Sequence, residues 1–284
     1  MKIGIITSWN DTLTLFKFLQ KHDHEYVIYY DFLNHSYGDK TFEYSLSEIK
    51  KWIWFLIKQG CEKIIIPPVY ELAILHWEEN EEIWLHIFPL FKTYLQNYCF
   101  SQSLVGKLWV FGDHADIQIA QKIINEESKN YVLTENQKNI KKFHFPFNFR
   151  SKEIPLRKHF LESISYAEPI INTTIKYDLR YFKDAGIDTA IPLNYGYFNY
   201  QKTISKFFNF KKTRFHKIEN LEEIFSHYCE ESKNQLLWVN TVNKEEYSVS
   251  VLYTDHCNFL LRNKKLLRLL QRWKTTKVKY EEVK

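Results

Sequence analysis

The chain contains one structural pattern twice, 126 residues apart. In the first copy, Gly60 precedes the apolar run 64–66 and a loop that begins at Pro67. In the second copy, Gly186 precedes the apolar run 188–192 and a loop that begins at Leu193. Each copy is typical of a helix-ending glycine, a short strand and a loop beyond the strand's C-terminal end. Ligands of open parallel α/β sheets bind at such loops, so the pattern predicts two similar lobes that face one cleft.

The rest of the chain alternates between short apolar runs and longer segments with helical periodicity. The apolar runs predict strands at 3–7, 26–30, 64–66, 107–111, 131–133, 188–192, 213–218, 236–239 and 247–253. The periodic segments predict helices at 12–22, 43–59, 71–77, 81–100, 114–126, 155–165, 168–185, 199–208, 219–231 and 258–274. We expect the stretch 140–155 to be irregular and the tail 275–284 to be frayed. This order of elements predicts an α/β fold with mainly parallel sheets.

Composition excludes several classes of protein. Glycine occurs only 7 times, and the chain has neither a Gly-x-Gly-x-x-Gly motif nor a P-loop, which excludes a glycine-rich phosphate cradle. The net charge of +5 comes from the segment 258–284, whose nine Lys/Arg and two Glu give +7, so residues 1–257 sum to −2. A nearly neutral body does not indicate specific nucleic-acid binding. No apolar stretch reaches about 18 residues, so no membrane span is expected.

The cysteines indicate the compartment. Cys61, Cys99, Cys229 and Cys257 are scattered, and no two of them form a Cys-x-x-Cys pair. This spacing favours reduced thiols over a disulfide framework or a zinc site. We therefore expect a cytoplasmic protein.

Several segments, taken in order, resemble the aspartate/glutamate racemase family, and most closely glutamate racemase. Residues 7–14 are similar to the family's loop Asp-Ser-Gly-x-Gly-Gly-Leu-Thr, and residues 36–40 to its Pro-Tyr-Gly-x-Lys. Residues 67–70 fall on Ala-Cys-Asn-Thr, and residues 193–197 on Gly-Cys-Thr-His-Tyr. The resemblance covers nearly the whole chain. It implies two pseudo-symmetric lobes with a cleft between them, which we place at 1–96 plus 205–284 and at 97–204.

The family's chemistry is a cofactor-independent proton transfer in which one cysteine thiolate removes the α-proton and a second cysteine, on the opposite face of the carbon, returns one. Pro68 and Asn194 stand at the two cysteine positions of this sequence. Thr7 stands at the position of the family's tuning aspartate, and Gly196 at that of its histidine. The resemblance with these four changes predicts a protein that is inactive as an amino-acid racemase and acts in small-molecule binding, in regulation or as a scaffold. The alternative is a divergent enzyme with altered chemistry on a small polar or carboxylate ligand.

The residues that the resemblance places around the cleft are candidates for ligand binding. They are Ser8, Trp9, Tyr37, Gly38, Val69, Tyr70, Asn194 and Tyr195. Their aromatic rings either form the walls of a pocket for a flat ligand or fill a vacant active site and hold the lobes together. We expect no cofactor and no metal, and we leave open a small polar ligand in the cleft and a homodimer.

Two further segments have alternative interpretations. Asp113, His114 and Asp116 are compatible with metal ligands, although acidic residues at this point are also typical of a helix start. The segment 258–274 is a basic amphipathic helix, which either packs on the fold or binds a membrane or a nucleic acid. The family ends in a packed helix here, which favours the first interpretation.

Overall fold

The structure is a computed structural model that describes residues 1–7, 9–22, 24–30, 40–103, 106–130, 147–153, 168–180, 186–209, 214–215, 217–235, 248–253 and 277–282. Strands alternate with helices throughout these ranges. The strands are β1 (Lys2–Ile6), β2 (Glu25–Tyr30), β3 (Lys63–Ile65), β4 (Lys107–Gly112), β5 (Asn148–Glu153), β6 (Thr189–Pro192), β7 (Arg214–Phe215), β8 (Ser248–Tyr253) and β9 (Lys277–Glu282). The α-helices are α1 (Trp9–Leu19), α2 (Phe42–Lys58), α3 (Pro68–Trp77), α4 (Glu81–His86), α5 (Leu90–Tyr94), α6 (His114–Asn130), α7 (Glu168–Leu179), α8 (Gln201–Asn209) and α9 (Ile218–Gln235). A π-helix spans Leu95–Phe100, and a 3-10 helix spans Tyr195–Tyr200.

The described strands form two parallel sheets. The first sheet has the order β3-β1-β2-β8-β9 and the second the order β5-β4-β6-β7. Every pairing between these strands is parallel. Parallel neighbours require crossover connections, which the helices supply. The predicted α/β fold with two mainly parallel sheets is therefore confirmed.

The central strands are buried on both faces, which explains why they are continuous apolar runs in the sequence. In β1, Ile3 and Ile5 are completely buried, and in β4 so are Leu108, Trp109 and Val110. The strands predicted at 3–7 and 107–111 match β1 and β4 to within one or two residues at each end.

The helices bury one apolar stripe each. On α2 the buried positions recur at helical spacing, as in Ile49, Ile53 and Leu56, whereas Lys51 and Lys58 face outward. Gly60 follows this helix with a φ of 81°, and its amide bonds to the Ile57 carbonyl at 2.9 Å, as the capping interpretation predicted. Across the described ranges, none of the helices is long and apolar enough to cross a lipid bilayer.

The single helix predicted at 81–100 is wrong. The chain forms α4, leaves the helical conformation at Ile87, and resumes as α5 and the π-helix. Ile87 makes a parallel bridge to Ile64, and the Phe88 amide bonds to the Ile64 carbonyl at 2.9 Å. Pro89 then caps α5, a place where its missing N–H costs nothing. The first sheet therefore gains a short extension at the expense of one helical turn.

Two of the observed strands were not predicted from the sequence. β5 lies within the stretch expected to be irregular, and β9 within the tail expected to be frayed. Both are edge strands, and their sequences, NFRSKE and KVKYEE, are largely polar. An edge strand is paired on one side only and does not need a continuous apolar run, so it lacks the signal that reveals a central strand. The strands predicted at 131–133 and 236–239 and the helices predicted at 155–165 and 258–274 lie outside the described residues.

The second half of the chain differs from the prediction at β7. This strand pairs with β6, with Thr189 beside Arg214, and so belongs to the second sheet. The predicted boundary assigned residues from 205 onward to the first lobe. The following helix α9 packs against α1 and α5, on the side of the first sheet. The chain thus leaves the second sheet after residue 215. The remaining limits of the two lobes stay a prediction.

Candidate functional site

The two repeated loops lie at the C-terminal ends of β3 and β6, as predicted. After β3 the chain passes through Ile66 and Pro67, and Pro68 is the first residue of α3. Proline suits this position because the first amide of a helix has no intrahelical acceptor. After β6 the chain passes through Leu193, and Asn194 caps the 3-10 helix. One loop thus ends in an α-helix that begins with proline, and the other in a 3-10 helix with an asparagine cap.

The side chains of the first loop are packed, with little solvent around them. Pro68 and Val69 are buried, and Tyr70 is 1% exposed. The Tyr70 ring stacks on Phe42 of α2, with centroids 5.3 Å apart and planes 3° from parallel. Tyr70 therefore belongs to a stack that joins α2 and α3.

The second loop is fixed by its own asparagine. Asn194 is 7% exposed, and its Oδ1 accepts a hydrogen bond from the Gly196 amide at 2.7 Å. This is the usual geometry of an asparagine that caps a helix. The Nδ2 of the same side chain is buried and has no hydrogen-bond partner within the described part of the chain. A buried amide N–H without an acceptor costs about 1–3 kcal/mol.

Leu193 is packed against a glycine of the neighbouring strand. A Cβ added to Gly112, at the end of β4, would lie 2.8 Å from the Leu193 Cβ. Gly112 is therefore the residue that leaves room for a leucine at the start of this loop.

A carboxylate that the sequence analysis did not select joins the two lobes. Asp11 lies in the first turn of α1 and is completely buried, and its Oδ1 accepts the Gly196 amide at 2.8 Å. The 3-10 helix that contains Gly196 packs on α1. Close to Asp11 in the sequence, the hydroxyl group of Thr7, just after β1, forms a hydrogen bond with that of Thr12 in α1. Gly196, to which the resemblance assigns the position of the family's histidine, thus supplies a backbone donor to Asp11.

A second buried acid, Glu71, also reaches across the junction. Its Oε2 accepts the Phe91 amide at 3.0 Å, and its Oε1 accepts the Lys92 amide at 2.8 Å, which anchors the start of α5. The Tyr195 hydroxyl donates to Oε2 at 3.4 Å. Burial raises the pKa of Glu71 to about 8, although the three donors oppose this shift. Burial also holds the pKa of Tyr195 well above its usual value, and the charges of Glu71 and Asp11 act in the same direction.

The described cysteines lie away from these loops or in unreactive surroundings. Cys61 precedes β3, at the opposite end of the strand from Pro68, and burial raises the pKa of its thiol to about 12. Cys99 lies in the π-helix, where complete burial raises the pKa of its thiol further. The Cys229 sulfur lies 3.2 Å from the His24 Nε2, just before the first residue of β2. Cys257 lies outside the described residues.

The metal interpretation of Asp113, His114 and Asp116 gains no support. Within the described ranges, no three His, Cys, Asp or Glu side chains are arranged to hold a metal ion. α6 begins at His114, as the helix-start interpretation predicted, and the His114 Nδ1 lies 3.5 Å from a carboxylate oxygen of Glu153.

The structure describes half of the predicted ligand-binding side chains. Val69, Tyr70, Asn194 and Tyr195 are all buried at or beside the junction of the two loops. Ser8, Tyr37 and Gly38 lie outside the described residues, as does the side chain of Trp9. A role of these residues in ligand binding stays a prediction. The two acids that hold the junction, Asp11 and Glu71, were missed because each resembles an ordinary acidic residue in the first turn of a helix.

Comparison with solved protein structures identifies the fold. Neither a protein-family model nor a curated protein matches the sequence. A glutamate racemase isoform of Bacillus anthracis is similar in structure, with a TM-score of 0.71 and 14% identity over 99% of this chain and 97% of that one. The glutamate racemase of Francisella tularensis in complex with D-glutamate gives a TM-score of 0.67 and 18% identity over 100% and 97%.

A third structure agrees with these two. The glutamate racemase of Aquifex pyrophilus gives a TM-score of 0.63 and 20% identity over 98% of both chains. Identities this low establish the fold and leave the activity open. The coverage shows that the similarity extends over nearly the whole of each chain. This chain has the glutamate racemase fold.

Proposed function

We propose that this protein does not racemise amino acids and instead acts as a binding or regulatory scaffold with the racemase fold. The observation that carries the proposal is the pair Pro68 and Asn194. Each stands in a loop at the C-terminal end of a strand where the resemblance expects a cysteine, and neither side chain can exchange a proton near neutral pH.

The surroundings of the described thiols and acids near the two loops argue against a replacement for the two missing thiols. Racemisation by two bases requires ionisable groups on both faces of one carbon. The Cys61 and Cys99 thiols are held neutral by burial. Both oxygens of Glu71 already accept backbone amides, so this carboxyl group has a structural task. The Asp11 Oδ1 likewise accepts a backbone amide, that of Gly196.

The same contacts support a scaffold. A catalytic cleft must admit its substrate, whereas here buried hydrogen bonds from the Gly196 amide to Asp11 and from the Tyr195 hydroxyl to Glu71 connect segments of the two lobes. Tyr70, which precedes Glu71 in the sequence, and Tyr195, which donates one of these bonds, are both buried. Such a junction favours one fixed arrangement of the lobes over repeated opening and closing.

The test is exchange of the α-proton in deuterated water. D- and L-glutamate and D- and L-aspartate are incubated with the protein and followed by NMR, with the Aquifex pyrophilus glutamate racemase as the active control. We expect no exchange above that of the buffer. Exchange that disappears in the variants Asp11→Asn or Asn194→Ala would contradict the proposal, because it would locate a working active site at this junction.

One observation favours the alternative of a divergent enzyme that acts on a small polar or carboxylate ligand. The buried Nδ2 of Asn194 lacks an acceptor among the described residues, and a ligand oxygen would satisfy it. Native mass spectrometry of the purified protein tests this alternative. A bound small molecule that is lost in Asn194→Leu supports it, and a mass equal to that of the polypeptide alone in both proteins excludes it.

A further inference from the structure

A small cavity of about 70 Å³ lies at the start of the second sheet. Lys107, the first residue of β4, lines it together with Asn148 and Arg150 of β5. Leu108 and Ile187 also line it. The loop junction lies past the C-terminal ends of β3 and β6, whereas this cavity lies at the N-terminal ends of β4, β5 and β6. The cavity is therefore a separate feature of the molecule.

The pairing of β4 with β5 explains why the three polar side chains meet. In the register of these strands, Lys107 is the partner of Asn148, and Trp109 is the partner of Arg150. Alternate residues of one strand share a face of the sheet, and so do residues in register on neighbouring strands. Lys107, Asn148 and Arg150 therefore lie on one face, at one end of the sheet.

The ammonium group of Lys107 lies close to a turn without a side chain. A Cβ added to Gly186 would lie 3.6 Å from the Lys107 Nζ. Gly186 has a φ of 61°, in the left-handed region that favours glycine. The turn before β6 thus leaves room for the head of this lysine at the cavity.

The two cations of the cavity are not neutralised by ion pairs. Neither Lys107 nor Arg150 has an ion pair within the described part of the chain, and none of the described lining residues is acidic. Asp188 follows Ile187, but it is 8% exposed, and its two carboxylate oxygens lie 3.0 and 2.9 Å from the Ser103 hydroxyl. This acid faces Ser103 and does not line the cavity. The formal charge of the described lining is therefore +2.

We propose that this cavity binds a phosphate group, either as inorganic phosphate or as the phosphate monoester of a small molecule. A phosphate monoester has a charge of about −1.5 to −2 at pH 7, which matches the charge of the lining. It offers three strong acceptor oxygens, and the Lys107 ammonium, the Asn148 amide and the Arg150 guanidinium are three separate donors. A carboxylate has a single charge and two oxygens, so it would leave one of the cations without a partner.

The size of the cavity limits the group that enters it. A water molecule takes up about 30 Å³ of the liquid, so the cavity has room for a group of only a few heavy atoms. A phosphate group is of this size, whereas a nucleobase is larger. Lys107 and Arg150 are exposed, and salt screens their charges, so we expect a dissociation constant on the order of 1 mM.

This inference goes beyond the proposed function, since it concerns the opposite end of the second sheet. Phosphate binding and α-proton exchange are measured separately, and either can fail without the other. An active racemase with a phosphate site and an inactive protein without one are therefore distinguishable outcomes.

The experiment is a titration of inorganic phosphate and of glycerol phosphate with the full chain, followed by phosphorus NMR line width at constant ionic strength. We expect Arg150→Ala to weaken binding of both ligands at least about fivefold. Asn148→Asp places a negative charge beside the cations and should weaken it at least about tenfold. Arg150→Lys keeps the charge but loses the planar fork, so we expect an intermediate loss of about two- to threefold. Equal affinities for the two ligands would identify a site for the free anion, and tighter binding of glycerol phosphate would identify a site for monoesters.

Arg180→Ala is the matched control, because it removes an exposed arginine that does not line the cavity. It should change the affinity by less than about twofold. Asn148 and Arg150 are exposed, so losses in their variants cannot be ascribed to unfolding of the core. Unchanged phosphate affinity in Arg150→Ala would overturn the proposal, as would an equal loss in Arg180→Ala, which would indicate attraction by the overall charge alone. Displacement of phosphate by an equal concentration of acetate, or tighter binding of an oligothymidylate than of glycerol phosphate, would also overturn it, because the occupant would then be a carboxylate or a nucleic acid.

Discussion

The loops after β3 and β6 occupy matching places in the two lobes but are held by different means. In the first loop, Pro68 starts the helix, and Glu71 one turn later anchors α5 through two backbone amides. In the second loop, Asn194 caps its own helix, and Asp11 of the other lobe accepts the Gly196 amide. The first loop is thus stabilised mainly by nearby segments and the second by the opposite lobe. The difference shows that loops at matching places of two lobes can be fixed by different interactions.

Replacement of the anchor of the first loop is expected to have the largest effect. Glu71→Ala leaves the Phe91 and Lys92 amides without their acceptor and opens a cavity in the core. We expect a loss of about 3–5 kcal/mol in the free energy of unfolding, measured by urea denaturation. Glu71→Gln keeps an acceptor oxygen and should lose less than half of that. Equal losses in the two variants would show that the carboxyl group is not the anchor.

Replacement of the anchor of the second loop is expected to have a smaller effect. Asp11→Ala removes one of the two acceptors of the Gly196 amide, and Asn194 still supplies the other. We expect a loss of about 2 kcal/mol for Asp11→Ala and about 1 kcal/mol for Asp11→Asn, which retains the Oδ1.

The part of the molecule that Asp11→Ala destabilises distinguishes the two loops. In Asp11→Ala, amide hydrogen exchange should increase in the 3-10 helix Tyr195–Tyr200 of the other lobe and change little in α5. Faster exchange in α5 alone would mean that Asp11 supports its own lobe and not the junction.

The strands and the places of both loops were predictable from the sequence, but the helix starts at Pro68 and Tyr195 and the anchors of the loops were not. Gly60 and the apolar strands produce signals within a few neighbouring residues, and these signals predicted the α/β fold. Asp11 and Gly196 are 185 residues apart, and Glu71 and Tyr195 are 124 apart. An acidic residue in a first helical turn is usually explained by the helix dipole, so nothing local marks either one as a bridge. Such partners are fixed only by the packing of the two lobes.

The pH dependence of stability sharpens the comparison, because burial raises the pKa of Glu71, the anchor of the first loop, to about 8. A glutamate side chain in water has a pKa near 4.5, so between these values the folded state binds more protons than the unfolded state. The free energy of unfolding therefore falls as the pH rises from about 4.5 to about 8, by at most about 1.4 kcal/mol per pH unit from this group. Glu71→Gln should flatten this part of the profile relative to wild type. Parallel profiles would show that Glu71 is already ionised in the folded protein.

The smallest effect is expected at the solvent-exposed edge of the same interlobe contact. The Lys17 Nζ of α1 donates to the Asn199 Oδ1 of the 3-10 helix at 2.6 Å, in an exposed position. Water competes for both groups, so Lys17→Ala should lower the free energy of unfolding by about 0.5 kcal/mol or less. Lys202→Ala, an exposed lysine at the start of α8, is the control for the loss of a surface charge. A loss at Lys17 as large as that of Asp11→Ala would mean that the lobes are joined as much by their exposed rim as by the buried carboxylate, and the contrast between the two loops would then no longer depend on Asp11.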